Sequence, residues 1–428
     1  MERFVLGQDG RIREHIRGEG AAPAPRLATP LDALTPRAPS LAILTPCFFP
    51  PRAAAPEWSQ CLWGGGERYL VDLSHLFKDL GYDVHLFQPS AEPYEIDVHG
   101  VAMHGLGVWG WGPFEFQHRV SQEFTALARR SGFSRLCYLN LDVATAAPKD
   151  ALVLTHGVWW DQVAGPWRGQ WNDWVKTIRK AHEAGRLLVS VDTNGINWAR
   201  SVLGQDVADR MRYLPNYADE ALYPAARAAV PPGQRRDDGR MRVLFPRRLV
   251  PSRGAGLMLD IAEQLLREQP GAALRFAGKG VPGYAQRISA LAKRHPGRVS
   301  RSVLQMDGME DEYLQADVAV IPTLQCEGTS LSCIEAMAAG GAIVTTHVGG
   351  LGNLVLDGWN GRLVEPTPEA GRRAIAELVA DPERAAELGA RARQTFEASF
   401  TMARWRGRWM GVLRELGWIG EDGAALAA

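Results

Sequence analysis

Paired cysteines, long apolar runs and a surplus of either charge are all missing from this 428-residue sequence, and each gap removes a class of function. The five cysteines, Cys47, Cys61, Cys137, Cys326 and Cys333, form no C-x-x-C pair and are odd in number. Neither a zinc site nor a complete disulfide framework is expected, and a reducing cytoplasm fits best. No stretch approaches the roughly 20 apolar residues of a membrane span, and MERFVLGQDGRIREHIRGEG is too charged for a secretory signal. The chain is expected in the cytoplasm, either free or resting on the inner membrane face. Lys plus Arg equals Asp plus Glu at 48 each, so no long-range field would hold it on nucleic acid. It also has no H-E-x-x-H, G-x-S-x-G, P-loop or Asp-x-Asp, and no metal is expected.

What is present is alternation. Residues 1–39 end in an Ala- and Pro-rich stretch without sustained period and read as a partly disordered extension. From residue 40 to 222, strand-like runs (SLAILTPCFF, YDVHLF, RLCYLN, ALVLTH, RLLVSVD) alternate with amphipathic segments such as ERYLVDLSHLFKDLG. There Leu70, Leu73, Phe77 and Leu80 share one helical face and Gly81 supplies the stop. Residues 223–240, polar and Pro-rich, make a linker. The alternation restarts over 241–398 with MRVLFP, ALRFAG, DVAVIP and GAIVTT. An α/β architecture of two doubly wound, Rossmann-like domains facing across a cleft follows. Residues 399–428 carry a last helix in which Trp405, Trp409, Val412 and Leu416 form a stripe, while Arg404, Arg408 and Arg414 point mostly elsewhere. The stripe either docks on the protein body, here the first domain, or lies on a membrane.

The stretch CEGTSLSCIEAMAAGG follows a predicted strand and carries Glu327 and Glu335 with seven residues between them. A helix is expected from Thr329 or Ser330, whose hydroxyl can cap it, and it places Glu335 beside Leu331, Ile334 and Ala338 on the apolar face. A carboxylate there must be paired. Either an Arg or backbone amides hold it structurally, or it accepts the hydroxyls of a ribose or sugar diol, with Glu327 doing the same nearer the cleft. In PRRLVPSRGAG, Arg248 and Arg253 flank a loop, and Gly254 and Gly256 open a helix whose N-terminal amides suit a diphosphate.

Other features carry less. Gly278, Gly280 and Gly283 spell G-x-G-x-x-G, but no acidic residue stands about 20 positions on, as a dinucleotide site requires, and Pro282 removes a donor. The glycines read as a tight turn near a nucleotide, which argues against a dehydrogenase. Gly64, Gly65 and Gly66 precede a helix and either let a ligand approach backbone or form a plain turn. His156 follows an apolar strand, as a structural histidine or as a group within reach of substrate. WWDQVAGPWRGQWNDW, with Trp167, Trp171 and Trp174 at helical spacing, suits packing, sugar stacking or a lipid-facing patch.

Taken together, EGTSLSCIEAMAAGG, RRLVPSRG, RYLPNYADEALY, WGGGERYLVDLSHLFKDLGYDVHLF and THVGGLGNLVLDGWNGRLVEP resemble the segments of the family-four glycosyltransferases, retaining enzymes of the GT-B fold with an E-x7-E signature. The resemblance implies a hexosyltransferase, with no cofactor or metal, that moves a sugar from a UDP- or GDP-linked donor to a hydroxyl of a saccharide, lipid-linked or small-molecule acceptor, with retention. It implies that Arg248 and Arg253 hold the diphosphate and that Glu335 takes the ribose. Glu327 would contact the sugar, with Gly328, Thr329, Ser330 and Leu331 lining its pocket and Gly278 nearby. His156 would sit beside the sugar, and Gly65 and Gly66 would admit donor or acceptor. Thr329 and Ser330 replace the aromatic and the glycine usual after E-G, Arg253 stands where Lys is usual, and Gly341 replaces a common Pro. A nucleotide-sugar epimerase and a non-catalytic sugar- or nucleotide-binding protein remain as alternatives.

Overall fold

Near-continuous apolar strands of four to six residues need both faces covered, and helices supply the cover in each half of the chain. The computed structural model describes residues 31–46, 48–50, 64–109, 113–158, 171–304 and 308–426, the single positions 56 and 61, and a hairpin of β1 (Glu2–Leu6) with β2 (Ile12–Arg17). The first domain contains β3 (Ser40–Leu44), helix α1 (Gly65–Asp79), β4 (Asp83–Gln88), β5 (Pro93–Val98), β6 (Val101–Leu106), α2 (Pro113–Arg130), β7 (Arg135–Tyr138) and β8 (Leu152–Thr155). It continues with α3 (Trp171–Glu183), β9 (Leu188–Ser190), α4 (Thr193–Leu203), α5 (Gln205–Ala208) and β10 (Met211–Tyr213). Its sheet runs β10-β9-β8-β7-β3-β4-β6-β5, parallel except for β5, which pairs antiparallel with β6 at the edge. That antiparallel edge departs from the purely parallel sheet expected. A two-residue connection at His99 and Gly100, both at positive φ, turns the chain back there.

The order of the first domain also starts before residue 40. Leu34 packs into the core beside Ala42 and Phe124, and the Arg37 amide donates to Asp83 at 2.7 Å.

After the short α6 (Ala225–Ala228), the second domain comprises β11 (Met241–Phe245), α7 (Ala255–Glu268), β12 (Ala272–Ala277), α8 (Pro282–Arg294), β13 (Val299–Ser302), α9 (Met309–Leu314), β14 (Val318–Ile321) and α10 (Leu331–Ala338). It ends with β15 (Ala342–Thr346), β16 (Arg362–Val364), α11 (Pro368–Ala380) and α12 (Pro382–Ser399). The sheet is wholly parallel in the order β13-β12-β11-β14-β15-β16. Strand order reverses at β11, so the crevice between the loops after β11 and β14 is the switch point at which such sheets bind ligands.

The 223–240 segment is docked rather than free. Arg235 donates to five carbonyls, those of Ala228, Val230, Ala316, Ala339 and Gly340, and so fastens the segment to the second domain. The chain returns through α13 (Met402–Glu415), whose Trp405 and Trp409 are fully buried in the first-domain core with Tyr69 and Phe77. The aromatic stripe therefore faces protein, and its membrane reading is corrected. Among the described residues no helix is long and apolar enough to cross a membrane.

Candidate active site in the interdomain cleft

The loop after β14 is the centre of the site because it touches both domains. Glu327 sits on the second-domain side, buried, and its Oε2 accepts from Arg247 Nη2, from Arg253 Nη1 at 2.7 Å and from Thr323 Oγ1 at 3.1 Å. Oε1 takes no hydrogen bond from any described residue and is not sealed off. Burial pushes the Glu327 carboxyl up, but Arg247 and Arg253 outweigh it and hold the group below the usual carboxylate range, so it is ionised.

Arg253 binds inward through Nη1 only, to Glu327 and to the carbonyls of Cys326 at 3.0 Å and Gln325 at 3.5 Å. Its Nε and Nη2 donate to no described residue. Beside it Gly254 caps α7 at φ +76°, and a Cβ there would lie 1.9 Å from the Pro322 carbonyl oxygen, so only glycine lets the two loops meet. Arg248 is exposed at the same crevice. An anion here would meet two guanidiniums and the amides of a helix N-terminus.

The structure differs from the sequence reading at Arg247. Arg248 is the expected partner of Arg253, whereas Arg247 is the arginine bonded to Glu327 beside it, with its other arm 3.1 Å from Ser330 Oγ. No local signal separates the two, because β11 is buried on both faces, with Val243 and Phe245 in one core and Leu244 in another. Gly278 serves the same loop. A Cβ on it would lie 2.1 Å from the Arg247 carbonyl oxygen, and one on Gly280 would lie 2.2 Å from that of Leu249, so the G-x-G stretch is shaped by packing against the arginine loop.

The expected helix cap is also corrected. Ser330 is the N-cap of α10 but makes no side-chain cap bond, because its hydroxyl accepts from Arg247. The Thr329 hydroxyl donates to the Val191 carbonyl in the first domain and accepts from the Asn216 amide at 3.2 Å, while Asn216 Nδ2 reaches the Thr329 carbonyl at 2.5 Å. The two departures from the signature are thus one interdomain fastening and one anchor for Arg247. Asn353, bonded to Thr193 at 3.0 and 2.6 Å, adds a second fastening.

Backbone approaches at van der Waals range complete the contact. A Cβ on Gly328 would lie 2.8 Å from Val191 Cγ2 and 2.9 Å from the His156 carbonyl oxygen; on Gly65 it would lie 3.0 Å from Leu331 Cδ1. Gly66 has nothing within 4 Å and faces open space. His156 stacks edge-on against Tyr69 at 5.0 Å, and its buried Nε2 has no hydrogen-bond partner among the described residues. Burial pulls its pKa down to about 4, against a hydrogen bond with the Leu139 backbone that favours the charged form, so the ring is neutral near pH 7.

Glu335 lies on the buried face of α10 as the periodicity implies, and Arg68 Nη1 of α1 donates to its Oε1 at 2.8 Å. Arg68 also lies 3.8 Å from Asp72, which accepts from the Tyr217 hydroxyl at 2.5 Å. Its neighbour Glu67 is pushed up to about 7 by burial, with the amides of Glu67 and Gly64 and the Arg248 guanidinium drawing it back in part. Sequence reading missed Arg68, Glu67 and Asn216, since nothing local shows which residues cross a cleft. The tryptophan-rich side chains of Trp167, Trp171 and Trp174 fall outside the described residues.

Residues 227–395 match the family of glycosyl transferases group 1. Glycogen synthase from Mycobacterium tuberculosis is 33% identical over 244 residues, 54% of this chain and 57% of that protein, so the chain spans about half the length of the curated relative it matches. Sucrose-phosphate synthase from Thermosynechococcus elongatus superposes with a TM-score of 0.68 at 21% identity, covering 88% of this chain and 99% of that one. Anabaena HepE, solved with UDP and glucose, gives 0.64 at 16% identity, covering 88% and 99%. The chain has the GT-B fold of glycosyltransferases, and over residues 227–395 it is similar to the glycosyl transferases of group 1.

Proposed function

We propose that the protein is a retaining hexosyltransferase of the family-four type, which moves a sugar from a UDP- or GDP-linked donor to an acceptor hydroxyl without a metal ion. The observation that carries this reading is the pairing of Glu327 and Arg253 at the switch point of the second sheet. One side chain offers a carboxylate oxygen and the other a guanidinium edge, both without a described protein partner. A sugar hydroxyl suits the first and a diphosphate the second. The HepE neighbour, solved with UDP and glucose, is consistent with such a donor.

In this reading Arg248, Arg253 and the α7 amides disperse the charge of the leaving diphosphate, and removal of one such donor costs about 3 kcal/mol of barrier. Glu327 orients the sugar, and Glu335, paired with Arg68, takes the nucleotide ribose. The acceptor, a saccharide, lipid-linked or small-molecule hydroxyl, attacks from the face that the diphosphate leaves, and the leaving phosphate takes its proton. His156, neutral, borders the sugar with a ring nitrogen that has no partner among the described residues. Apposed domains exclude water.

The test is incubation with a panel of nucleotide sugars and acceptors in the presence of EDTA, reading nucleotide release and product configuration. Transfer with retention is expected. An inverted product or strict metal dependence would sink the mechanism, and sugar conversion without acceptor would identify an epimerase.

A further inference from the structure

We infer that the second domain carries a ligand site separate from the cleft, a cavity that takes an acidic sugar, meaning a monosaccharide with one phosphate or carboxylate, and whose occupation is felt at Glu327. The cavity measures about 600 Å³, within the range of about 300–1,000 Å³ typical of small-molecule pockets. It opens at the carboxyl ends of β15 and β16, which stand beyond β14 and so off the crevice between β11 and β14. Parallel sheets collect ligands along that edge.

Its polar wall divides into groups already matched and groups that are not. Asp357 accepts from the Leu363 amide at 3.0 Å and lies 3.4 Å from Arg362, which also meets Glu377 at 2.6 Å. His347, Glu365 and Arg373 line the same cavity, and their side chains pair with no described residue. Acceptors are within reach of this helix, since the adjacent Arg372 is bonded to both Glu268 and Glu369. A guanidinium and an imidazole N–H suit one anionic group, and a carboxylate suits sugar hydroxyls. A bare anion would be repelled by Glu365, so the set favours charge and hydroxyls on one molecule.

The same wall is tied to the candidate active site. Thr346 Oγ1 donates to the Thr323 carbonyl, and the Thr323 hydroxyl donates to Glu327 Oε2 at 3.1 Å. Further along the loop, the Gly350 amide donates to the Glu327 carbonyl at 2.9 Å, and a Cβ on Gly349 would lie 1.9 Å from that oxygen. Segment 346–350 therefore has the cavity on one side and Glu327 on the other, and a ligand that orders it biases the carboxylate facing the donor sugar. That effect on transfer rests on the glycosyl-transfer reading above; the site itself does not.

The experiment titrates the full chain by calorimetry with hexose 6-phosphates, hexuronates, neutral hexoses and inorganic phosphate, with and without saturating UDP or GDP. One acidic sugar per chain is expected, the two arms telling phosphate from carboxylate, with affinity about tenfold or more above that of neutral hexose or inorganic phosphate. Arg373→Ala should weaken it about tenfold, and Glu365→Gln should weaken it without weakening inorganic phosphate. Both side chains are exposed, so neither change threatens folding. Arg253→Ala, which strips the donor cleft, should leave the affinity within about twofold. Binding should slow hydrogen exchange at Gly350 and across residues 323–328. It should also change kcat/KM for the nucleotide sugar by about fivefold or more in the wild type and not in Arg373→Ala, whose basal activity is unchanged.

No binding of either acidic sugar, binding lost with Arg253→Ala or UDP but kept with Arg373→Ala, equal affinity for inorganic phosphate, or occupation without change in exchange or kcat/KM would overturn the inference while leaving glycosyl transfer intact. Absence of turnover with every donor would instead overturn the glycosyl-transfer reading, and binding with slowed exchange would still support the site.

Discussion

Arg68 and Glu335 stand 267 residues apart in the chain, on opposite sides of the cleft, and meet at 2.8 Å through Nη1 and Oε1. Burial pushes the Glu335 carboxyl up, and the Arg68 charge is the largest influence drawing it back in part. Arg68→Met therefore strands a buried carboxylate and should destabilise the protein by about 3 kcal/mol. Chemical denaturation at pH 7 compared with pH 5 tests this: the deficit should shrink in acid, where Glu335 is free to protonate.

The approach of Gly328 to Val191 and His156 gives a second prediction. Gly328→Ala puts a methyl where 2.8 and 2.9 Å are available, which costs about 1–3 kcal/mol of overpacking or separates the domains. Small-angle scattering should show a larger radius of gyration, with hydrogen exchange increased at Val191 and Asn216. An unchanged profile would mean that the two loops do not meet in solution.

His156 predicts an acid limb in stability. Its pKa is about 4 in the fold against the ordinary 6.5, so between those values the unfolded chain binds the extra proton. Stability is then complete above about pH 6.5 and falls on acidification toward pH 4, by about 3 kcal/mol at the limit. His156→Gln should flatten that limb.

Glu67 predicts the opposite slope. Its carboxyl is pushed up to about 7 against the ordinary 4.5, so the folded protein holds the proton over that interval and loses stability as pH rises from 4.5 to 7. An ionised Glu67 beside Arg248 also competes with a phosphate for the guanidinium. Diphosphate affinity should fall as pH passes 7, and Glu67→Gln, which can still accept from the Gly64 amide, should remove the fall while preserving the helix.

Most of the fold was legible because its strands are short, apolar and punctuated. MRVLFP, DVAVIP and GAIVTT could hardly be anything but buried parallel strands. β13 and β16 were passed over, since VSRS and RLV lack that signature at the sheet edges. Within the candidate site, loop positions are readable from the strands preceding them, which places Glu327 and Arg253 in loops and Glu335 on the buried face of α10. Side-chain direction is not. Arg247 and Arg248 are adjacent and chemically identical, and β11, buried on both faces, has no exposed side whose parity would mark the exposed one. Arg68 was invisible for a different reason: its partner depends on how two domains meet, which no local pattern encodes.

The chain crosses between the domains twice, and the crossings lie side by side: the Ala218 amide donates to the Phe400 carbonyl, and the Met402 amide donates to the Ala218 carbonyl, both near 3.0 Å. With Arg235 fastening the next segment to the second domain, neither crossing is a slack tether. Any opening of the cleft must turn about this bonded pair as covers turn about a spine, which leaves the molecule essentially one hinge axis and makes the residues farthest from it travel the most.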